Sequence, residues 1–456
     1  MKILLMLPPL FFIPKEEANL SADHLFSLFS YLKLNNSGVT VDVLDCGREM
    51  PVFTSTRQVA KFPKRFKKLL EKYSPDILGI SCYTSMHYAA ALKSAEIFKQ
   101  ENPAGIVIVG GYHPTAVPTD FSAPGLPFDY VVQGEGEVAL SQLLKRALKP
   151  QPQAEVIQGV PLPLENEELL WGEYPYHQDG GRVIVFFSRG CPFGCHFCME
   201  PHLRHLRPKR WRAYSSAKAR KTVETILQHF KPRIIAIGDA LFGAQPEWRR
   251  QFFRDLAEVA PDVPFWAETR VDTFSHADVR LIQNLRFRMD FGLDAIVPEN
   301  ILNQGKATQP QKYIEKFVAL DDALNQHRLP HSVFLLYNFP GETPETYRQT
   351  RQRLREIAGQ REYNYTLFSG QPFCLFPGTE SYFKMREFEE KFGSLFPNDG
   401  WWRHIDRNPY DLANHIRASR EMAGLKIDFM RENDELIRET LPDKKLLSWP
   451  VLDFRG

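Results

Sequence analysis

A chain of 456 residues with 43% hydrophobic and 12% aromatic content can build two or three apolar cores, which excludes a disordered or fibrous polymer. Its 57 basic side chains nearly balance 55 acidic ones, so the formal charge of +2 exerts no global pull toward nucleic acid. No run approaches the roughly 18 uninterrupted apolar residues of a membrane span. The opening MKILLMLPPLFFIPKEE is broken by prolines and lacks a small-residue cleavage site, so it reads as a buried strand and the expected compartment is the cytoplasm.

In chain order, KILLMLP, VTVDVLD, DILGISCY, GIVIVGG and FDYVVQG are short, apolar and rich in Val and Ile, as strands buried on both faces should be. Between them RFKKLLEKY places Phe66, Leu69 and Leu70 on one helical face, and EVALSQLLKRAL does the same with Val138, Leu143, Leu144 and Ala147. This alternation predicts an α/β domain over residues 1–150, a parallel sheet with helices on both sides and a binding crevice at the carboxyl ends of its strands. Those ends carry Ser81, Tyr83 and Thr84, then GGYHPT with Gly110, Gly111 and His113, then GEGE with Gly134, Glu135 and Gly136. The glycines either admit a ligand close to the backbone or serve turn geometry alone.

Residues 151–180, rich in proline, acid and glycine, are expected to be a linker. A second series follows over 181–380, with strands RVIVFFS, RIIAIGD, PFWAE, MDFGLD, HSVFLLYNFPG and YNYTLF and helices between them. Six such units are too few to close an eight-stranded barrel, so they predict an open, partial one with its site at the strands' carboxyl ends. Beyond residue 380, helix-spaced apolar residues predict a helical region over 381–456 that caps the barrel; Trp401 and Trp402 there are either core or a stacking surface for substrate.

Half of the six cysteines lie in SRGCPFGCHFCMEP, as Cys191, Cys195 and Cys198. The other three, Cys46, Cys82 and Cys374, have no disulfide-like spacing and read as packing residues. Three thiolates on one loop, with Gly190 and Gly194 allowing a tight path, can converge on one inorganic centre. A cubane iron-sulfur cluster held this way keeps one iron without a protein ligand; a zinc site completed by His196 or His202 is the alternative. The basic stretch RHLRPKRWR, residues 204–212, is either a solvated loop face or a contact for an anionic partner.

CPFGCHFC resembles the Cys-x3-Cys-x-aromatic-Cys motif of radical S-adenosylmethionine (SAM) enzymes, Phe197 being the aromatic residue. Gly238 and Asp239, with Phe242, resemble the segment after the second barrel strand that contacts the methionine amino group. Glu268 and Arg270 resemble the polar pair at the end of the third, Arg270 as partner of the SAM carboxylate. FGLDAIVPENILNQGKA resembles the family's glycine-hydrophobic-Glu-Ser stretch, with Asp294 and Ala295 in place of Glu and Ser; FPGET (Pro340, Gly341, Glu342) and FPGTE (Pro377, Gly378) resemble the last two loops. The first domain resembles the cobalamin-binding, flavodoxin-like module of the class B branch, with Tyr83, Thr84, Gly110, Gly111, His113, Gly134 and Glu135 as implied cofactor contacts.

The resemblance implies a [4Fe-4S] cluster on the three cysteines, SAM and cobalamin as cofactors, and an electron donor such as flavodoxin or ferredoxin. The implied activity is methylation of an unactivated carbon of a small metabolite or peptide through a 5'-deoxyadenosyl radical and methylcobalamin, with no single general base standing out. A cyclising, rearranging or dehydrating enzyme that keeps the first domain as scaffold is the alternative; a non-catalytic metal or nucleic-acid binding module is a third. Nucleic acid is not expected as a partner, since no extra RNA-binding module follows the barrel. No Asp-x-His-x-x-Gly loop follows the first strand, where the chain reads PPLFFIPKEEAN, so cobalamin is expected to have no protein imidazole on that face.

Overall fold

The computed structural model describes residues 1–13, 21–177, 181–206, 209–361, 364–404 and 406–441. The first domain is a six-stranded parallel sheet of β1 (Lys2–Leu7), β2 (Thr40–Asp45), β3 (Ile77–Ser81), β4 (Ile106–Gly110), β5 (Tyr130–Gln133) and β6 (Glu155–Gln158), in the order β2-β1-β3-β4-β5-β6. Side chains alternate across a strand, so Ile3, Leu5 and Leu7 enter one core and Leu4 and Met6 the other. With both faces covered, every one of these positions must be apolar. Strand order reverses between β1 and β3, leaving a crevice at their carboxyl ends. The sixth strand comes from the stretch expected to be linker.

The second sheet contains β7 (Arg182–Val185), β10 (Ile234–Ile237), β11 (Phe265–Arg270), β12 (Phe287–Asp294), β13 (His331–Tyr337) and β14 (Thr366–Pro372), all parallel and in sequential order from β7 to β14. β7 and β14 are the two edges of this sheet and do not pair with each other, so the barrel stays open. Between β7 and β10, β8 (Ser188–Gly190) and β9 (Trp211–Ala213) form a short antiparallel pair that frames the cysteine loop.

After residue 380 the helices are mostly short, the exception being Phe429–Thr440. Its Asn433 carboxamide oxygen accepts from the Tyr337 hydroxyl at 3.2 Å and from the Gly370 amide at 2.9 Å, fixing the helix over the last two barrel strands. Trp401 and Trp402 are core residues: Trp401 Nε1 donates to the Leu375 carbonyl at 2.6 Å, and Trp402 Nε1 to Asp120 of the first domain at 2.7 Å. The end of the expected helical region, 442–456, lies outside the described residues. No helix among the described residues is long and apolar enough to cross a membrane.

Candidate functional site

The cysteine loop is held from three directions. At its entrance, Asp239 at the end of β10 accepts from the Phe187 amide (2.8 Å), the Ser188 amide (3.1 Å) and the Ser188 hydroxyl (2.5 Å). Burial raises the Asp239 carboxyl to about 7 despite these bonds. In mid-loop, the His196 amide donates to the Gln304 carbonyl and its Nδ1 to the Asn303 carbonyl, each at 2.8 Å. The third hold is on the His196 carbonyl, which accepts from the amide and hydroxyl of Ser381, each at 2.9 Å.

Gly305, at φ +61°, brings the turn after β12 so close that a Cβ there would stand 2.5 Å from the His196 ring. Gly190 has φ +92°, as a tight path requires. Gly194 does not: its φ is not positive, and a Cβ on it would meet open space, so the expectation that it is needed for the path is corrected.

Cys195 is buried, while Cys191 and Cys198 are half-buried. Burial pushes the Cys198 thiol up to about 12 and raises Cys191 as well. Soft sulfur donors on one short loop fit an iron-sulfur cluster, whose ligands sit at separate corners. Among the described residues no three His, Cys, Asp or Glu groups gather as a single metal ion would require. His196 serves as a peg in the turn after β12, and His202 packs 5.1 Å from the Phe383 ring.

Arg270, expected to meet the SAM carboxylate, is committed elsewhere. Its Nη1 lies 3.1 Å from Cys195 Sγ, Nε and Nη2 grip Asp272 at 2.9 Å each, and Nη2 also donates to the Lys306 carbonyl at 2.7 Å. The guanidinium stacks 3.9 Å from the centre of the Phe193 ring. Lys306, which sequence reading passed over, is buried, paired with Asp294, and lies 5.6 Å over the Phe197 ring. Asp294 itself sits in the left-handed region at φ +61°. Glu268 is accessible to solvent yet surrounded by protein on most sides, which together with the charges of Asp290 and Asp294 raises its carboxyl to about 7.

A cavity of about 330 Å³ opens where the carboxyl ends of both sheets face each other. Tyr83, Gly110, Gly111, Gly134 and Glu135 line it from the first domain, and Arg189, Gly190, Glu200 and Gly238 from the second. An apolar slot walled by Leu5, Ile108, Val132 and Leu140 extends it into the first domain. Gly111, at φ +112°, keeps the rim low: a Cβ there would lie 2.5 Å from the Cys82 carbonyl oxygen. A low glycine rim over an apolar slot fits a broad, flat cofactor with an appended group, as cobalamin is.

Two expected contacts are not on this wall, which corrects them. His113 is fully buried, its Nε2 3.1 Å from Asp120 and its ring edge-on to Phe121 and Trp402. Thr84 caps the one-turn helix that follows β3, hydrogen-bonded to His87.

His24, by contrast, does line the cavity. Its Nε2 is 2.8 Å from the Ser81 hydroxyl, its Nδ1 3.1 Å from the Ser21 carbonyl, and its ring lies 4.3 Å from that of Tyr83. Desolvation lowers its pKa to about 4, leaving a neutral imidazole. An imidazole thus stands at the cavity; its residue follows PPLFFIPKEEAN by a few positions, in SADHL.

Glu135 belongs to a clamp between the domains. Arg189 donates to Glu135 at 2.9 Å, Glu137 at 2.7 Å, Glu167 at 2.8 Å and Ser27 Oγ at 2.9 Å, and Arg212 pairs with Glu135 as well. The Tyr112 hydroxyl donates to Glu200 at 2.8 Å, a second bridge. Of the basic stretch, Arg212 is thus turned inward, as is Arg204, which bonds the Phe193 carbonyl; residues 207–208 lie outside the described residues.

Residues 31–144 match the B12 binding domain family, and residues 185–354 match the Radical SAM superfamily. The chain is similar to an uncharacterized methyltransferase, PH0819, of Pyrococcus horikoshii, 27% identical over 307 residues that make up 62% of this chain and 64% of that one. It is also similar to the cobalamin-dependent radical SAM methyltransferase TokK of Streptomyces tokunonensis (27% identical, 45% of this chain and 33% of TokK). Part of it matches the anaerobic magnesium-protoporphyrin IX monomethyl ester cyclase of Rubrivivax gelatinosus (27% identical, 33% of this chain and 30% of the cyclase). The chain thus spans less than two thirds of the length of each of these relatives. In fold it resembles the radical SAM methyltransferase TsrM of Kitasatospora setae, with a TM-score of 0.62, 18% identity, and coverage of 83% of this chain and 74% of TsrM.

Proposed function

We propose that this chain, which belongs to the radical SAM enzymes carrying an N-terminal B12 binding domain, methylates an unactivated carbon of a small metabolite or peptide. The observation that carries the reading is the shared cavity. One wall is the glycine rim of the B12 binding domain; the other includes Arg189 and Gly190, the strand that leads directly into the cysteine loop. When bound, the cluster supplies an electron to SAM and cobalamin supplies a methyl group.

The residues that would hold these groups divide by wall. Cys191, Cys195 and Cys198 would ligate the cluster. Gly110, Gly111, Gly134 and Tyr83 would receive the corrin. Asp239 sets the height of the loop through Phe187 and Ser188, and Gly238 beside it lines the cavity. Glu268 and the Lys306–Asp294 pair are the charged groups left to orient SAM, because Arg270 is spent on Cys195 and Asp272. The clamp of Arg189 and the Tyr112–Glu200 bond would keep the two walls in register and exclude water between them.

The test is anaerobic reconstitution with iron, sulfide and hydroxocobalamin, followed by SAM and a reductant such as reduced flavodoxin. Formation of both 5'-deoxyadenosine and S-adenosylhomocysteine is expected, since two SAM molecules serve each methylation. A second reading is favoured by the match to the cyclase: a ring-forming enzyme would yield 5'-deoxyadenosine without S-adenosylhomocysteine. Absence of both products would reject both readings.

A further inference from the structure

We infer that a reduced flavodoxin docks on the outer face of the cysteine loop, around Gly194, Leu302 and Phe383, and delivers there the electron that SAM cleavage consumes. The inference rests on the cluster reading above and not on which product follows.

Electron transfer weakens steeply with distance, so a protein donor must seat where the cysteine loop comes to the surface. On its cavity side the loop faces the first domain across the Arg189 clamp and the Tyr112–Glu200 bond, so a second protein cannot reach it from there. The loop surfaces instead at Gly194, the residue before Cys195, which is exposed and whose Cβ position has nothing within 4 Å. Two large apolar side chains flank this opening. Leu302 is 51% exposed, and its carbonyl accepts from the amide of Gly305, the residue that packs against the His196 ring and the Gly194 carbonyl. Phe383 is 58% exposed; it follows closely on Ser381, which holds the His196 carbonyl, and its ring lies 5.1 Å from that of His202. Either side chain alone would be unremarkable on a protein surface, but both stand on segments bonded to the same loop.

The charge around the opening fits an acidic partner. Arg204 bonds the Phe193 carbonyl, next to Gly194, and His205 beside it is exposed. Because Trp211 pairs with Gly190, the exposed Lys209 and Arg210 stand where the cysteine loop begins. The sequence from 201 to 212 contains no acid, and Glu380, near Phe383, is paired with Lys384 at 3.2 Å. A flavodoxin meets both demands of this face: it is acidic around its cofactor and exposes the apolar dimethylbenzene edge of its flavin, which Phe383 and Leu302 would cover. One electron leaves the reduced flavin and one enters the cluster; no bond forms or breaks and no proton moves.

The test uses the full chain with flavodoxin as the probe. Added to flavodoxin labelled in the heavy nitrogen isotope, the chain is expected to broaden the amide resonances around the flavin, and the effect should fade with added salt. Phe383→Asp, and separately the pair Lys209→Glu and Arg210→Glu, should weaken this binding about tenfold or more. In reconstituted protein the same substitutions should slow 5'-deoxyadenosine formation driven by reduced flavodoxin to a similar extent, yet leave it unchanged with titanium(III) citrate, which needs no docking site. Should Phe383→Asp not fold, Leu302→Glu, on the other flank of the opening, carries the same test. Binding and flavodoxin-driven turnover that survive the substitutions, or a loss equal with both reductants, overturn the docking face and leave the proposed function standing. So does a chain that takes electrons from a ferredoxin but not from flavodoxin. Absence of 5'-deoxyadenosine from the unsubstituted chain with titanium(III) citrate overturns the cluster reading and the docking face with it.

Discussion

Replacing Arg189 with methionine keeps most of its volume and removes the charge that Glu135, Glu137 and Glu167 share. Each acid keeps some support: Glu135 has Arg212, Glu137 the Ser27 hydroxyl, and Glu167 the Tyr214 hydroxyl. Glu137 and Glu167 nevertheless lose their cation, with side chains only 8% and 6% exposed. Stripping one partner from a buried pair costs about 3–5 kcal/mol, far above the roughly 0–1 kcal/mol of a surface bridge.

The pH dependence follows from Glu137. Burial pushes its carboxyl up, but the charge and hydrogen bond of Arg189 outweigh this and hold it below the usual range. In the native protein its contribution is therefore present above the unfolded value, about 4.3, and lost as pH falls through the lower folded value. Without Arg189 burial is unopposed, the folded value rises, and ionising the group destabilises the fold at neutral pH. Protonation relieves that cost, so the deficit of Arg189→Met should be largest near neutrality and shrink toward pH of about 4–5. Urea unfolding followed by fluorescence, for which the buried Trp171 beside Phe26 is a local reporter, measures it. A deficit under about 1 kcal/mol, or one equal at neutral and acid pH, would refute the reasoning.

Cys195→Ala should leave the reconstituted protein without its cluster iron, whereas Cys374→Ala should retain it; iron and sulfide analysis decides. Gly305→Ala, placing a Cβ against the His196 ring at φ +61°, should cost about 1–3 kcal/mol and lower iron content. Gly194→Ala should stay within about 0.5 kcal/mol in thermal unfolding, since open space surrounds it. Arg270→Gln removes the guanidinium from Cys195 Sγ, and with it a positive charge that favours the reduced cluster, so the midpoint potential should move to more negative values. An unchanged potential with weakened SAM binding by calorimetry would instead make Arg270 the carboxylate partner.

Both sheets were legible because parallel strands buried on two faces are written as unbroken apolar runs, as in KILLMLP and RIIAIGD. The sixth strand of the first sheet was not: EVIQ sits at an edge with alternate residues exposed, amid prolines and acids. The cysteine loop drew notice through its spacing, and its resemblance to a known motif supplied the expected chemistry. What its neighbours do was hidden, because partners far away in sequence decide it. Asp239 stands where the motif puts it, yet its carboxylate serves amides some 50 residues earlier. The glycine-rich run around His113 gave no hint that Trp402 would seal that side chain in the core. His24 carries no motif; its place at the cavity is set by Ser81 and Tyr83, about 60 residues on.

The Asp120 carboxylate gathers His113, Trp402 and Arg403 around itself at 3.1, 2.7 and 2.8 Å. The tryptophan arrives 282 positions after the carboxylate it bonds. At a synthesis rate of roughly 5–20 residues per second, that distance corresponds to about 15–60 s on the ribosome. For that interval the amino-terminal domain stands without the ring that packs on His113, so this part of its core closes only after most of the barrel has been made.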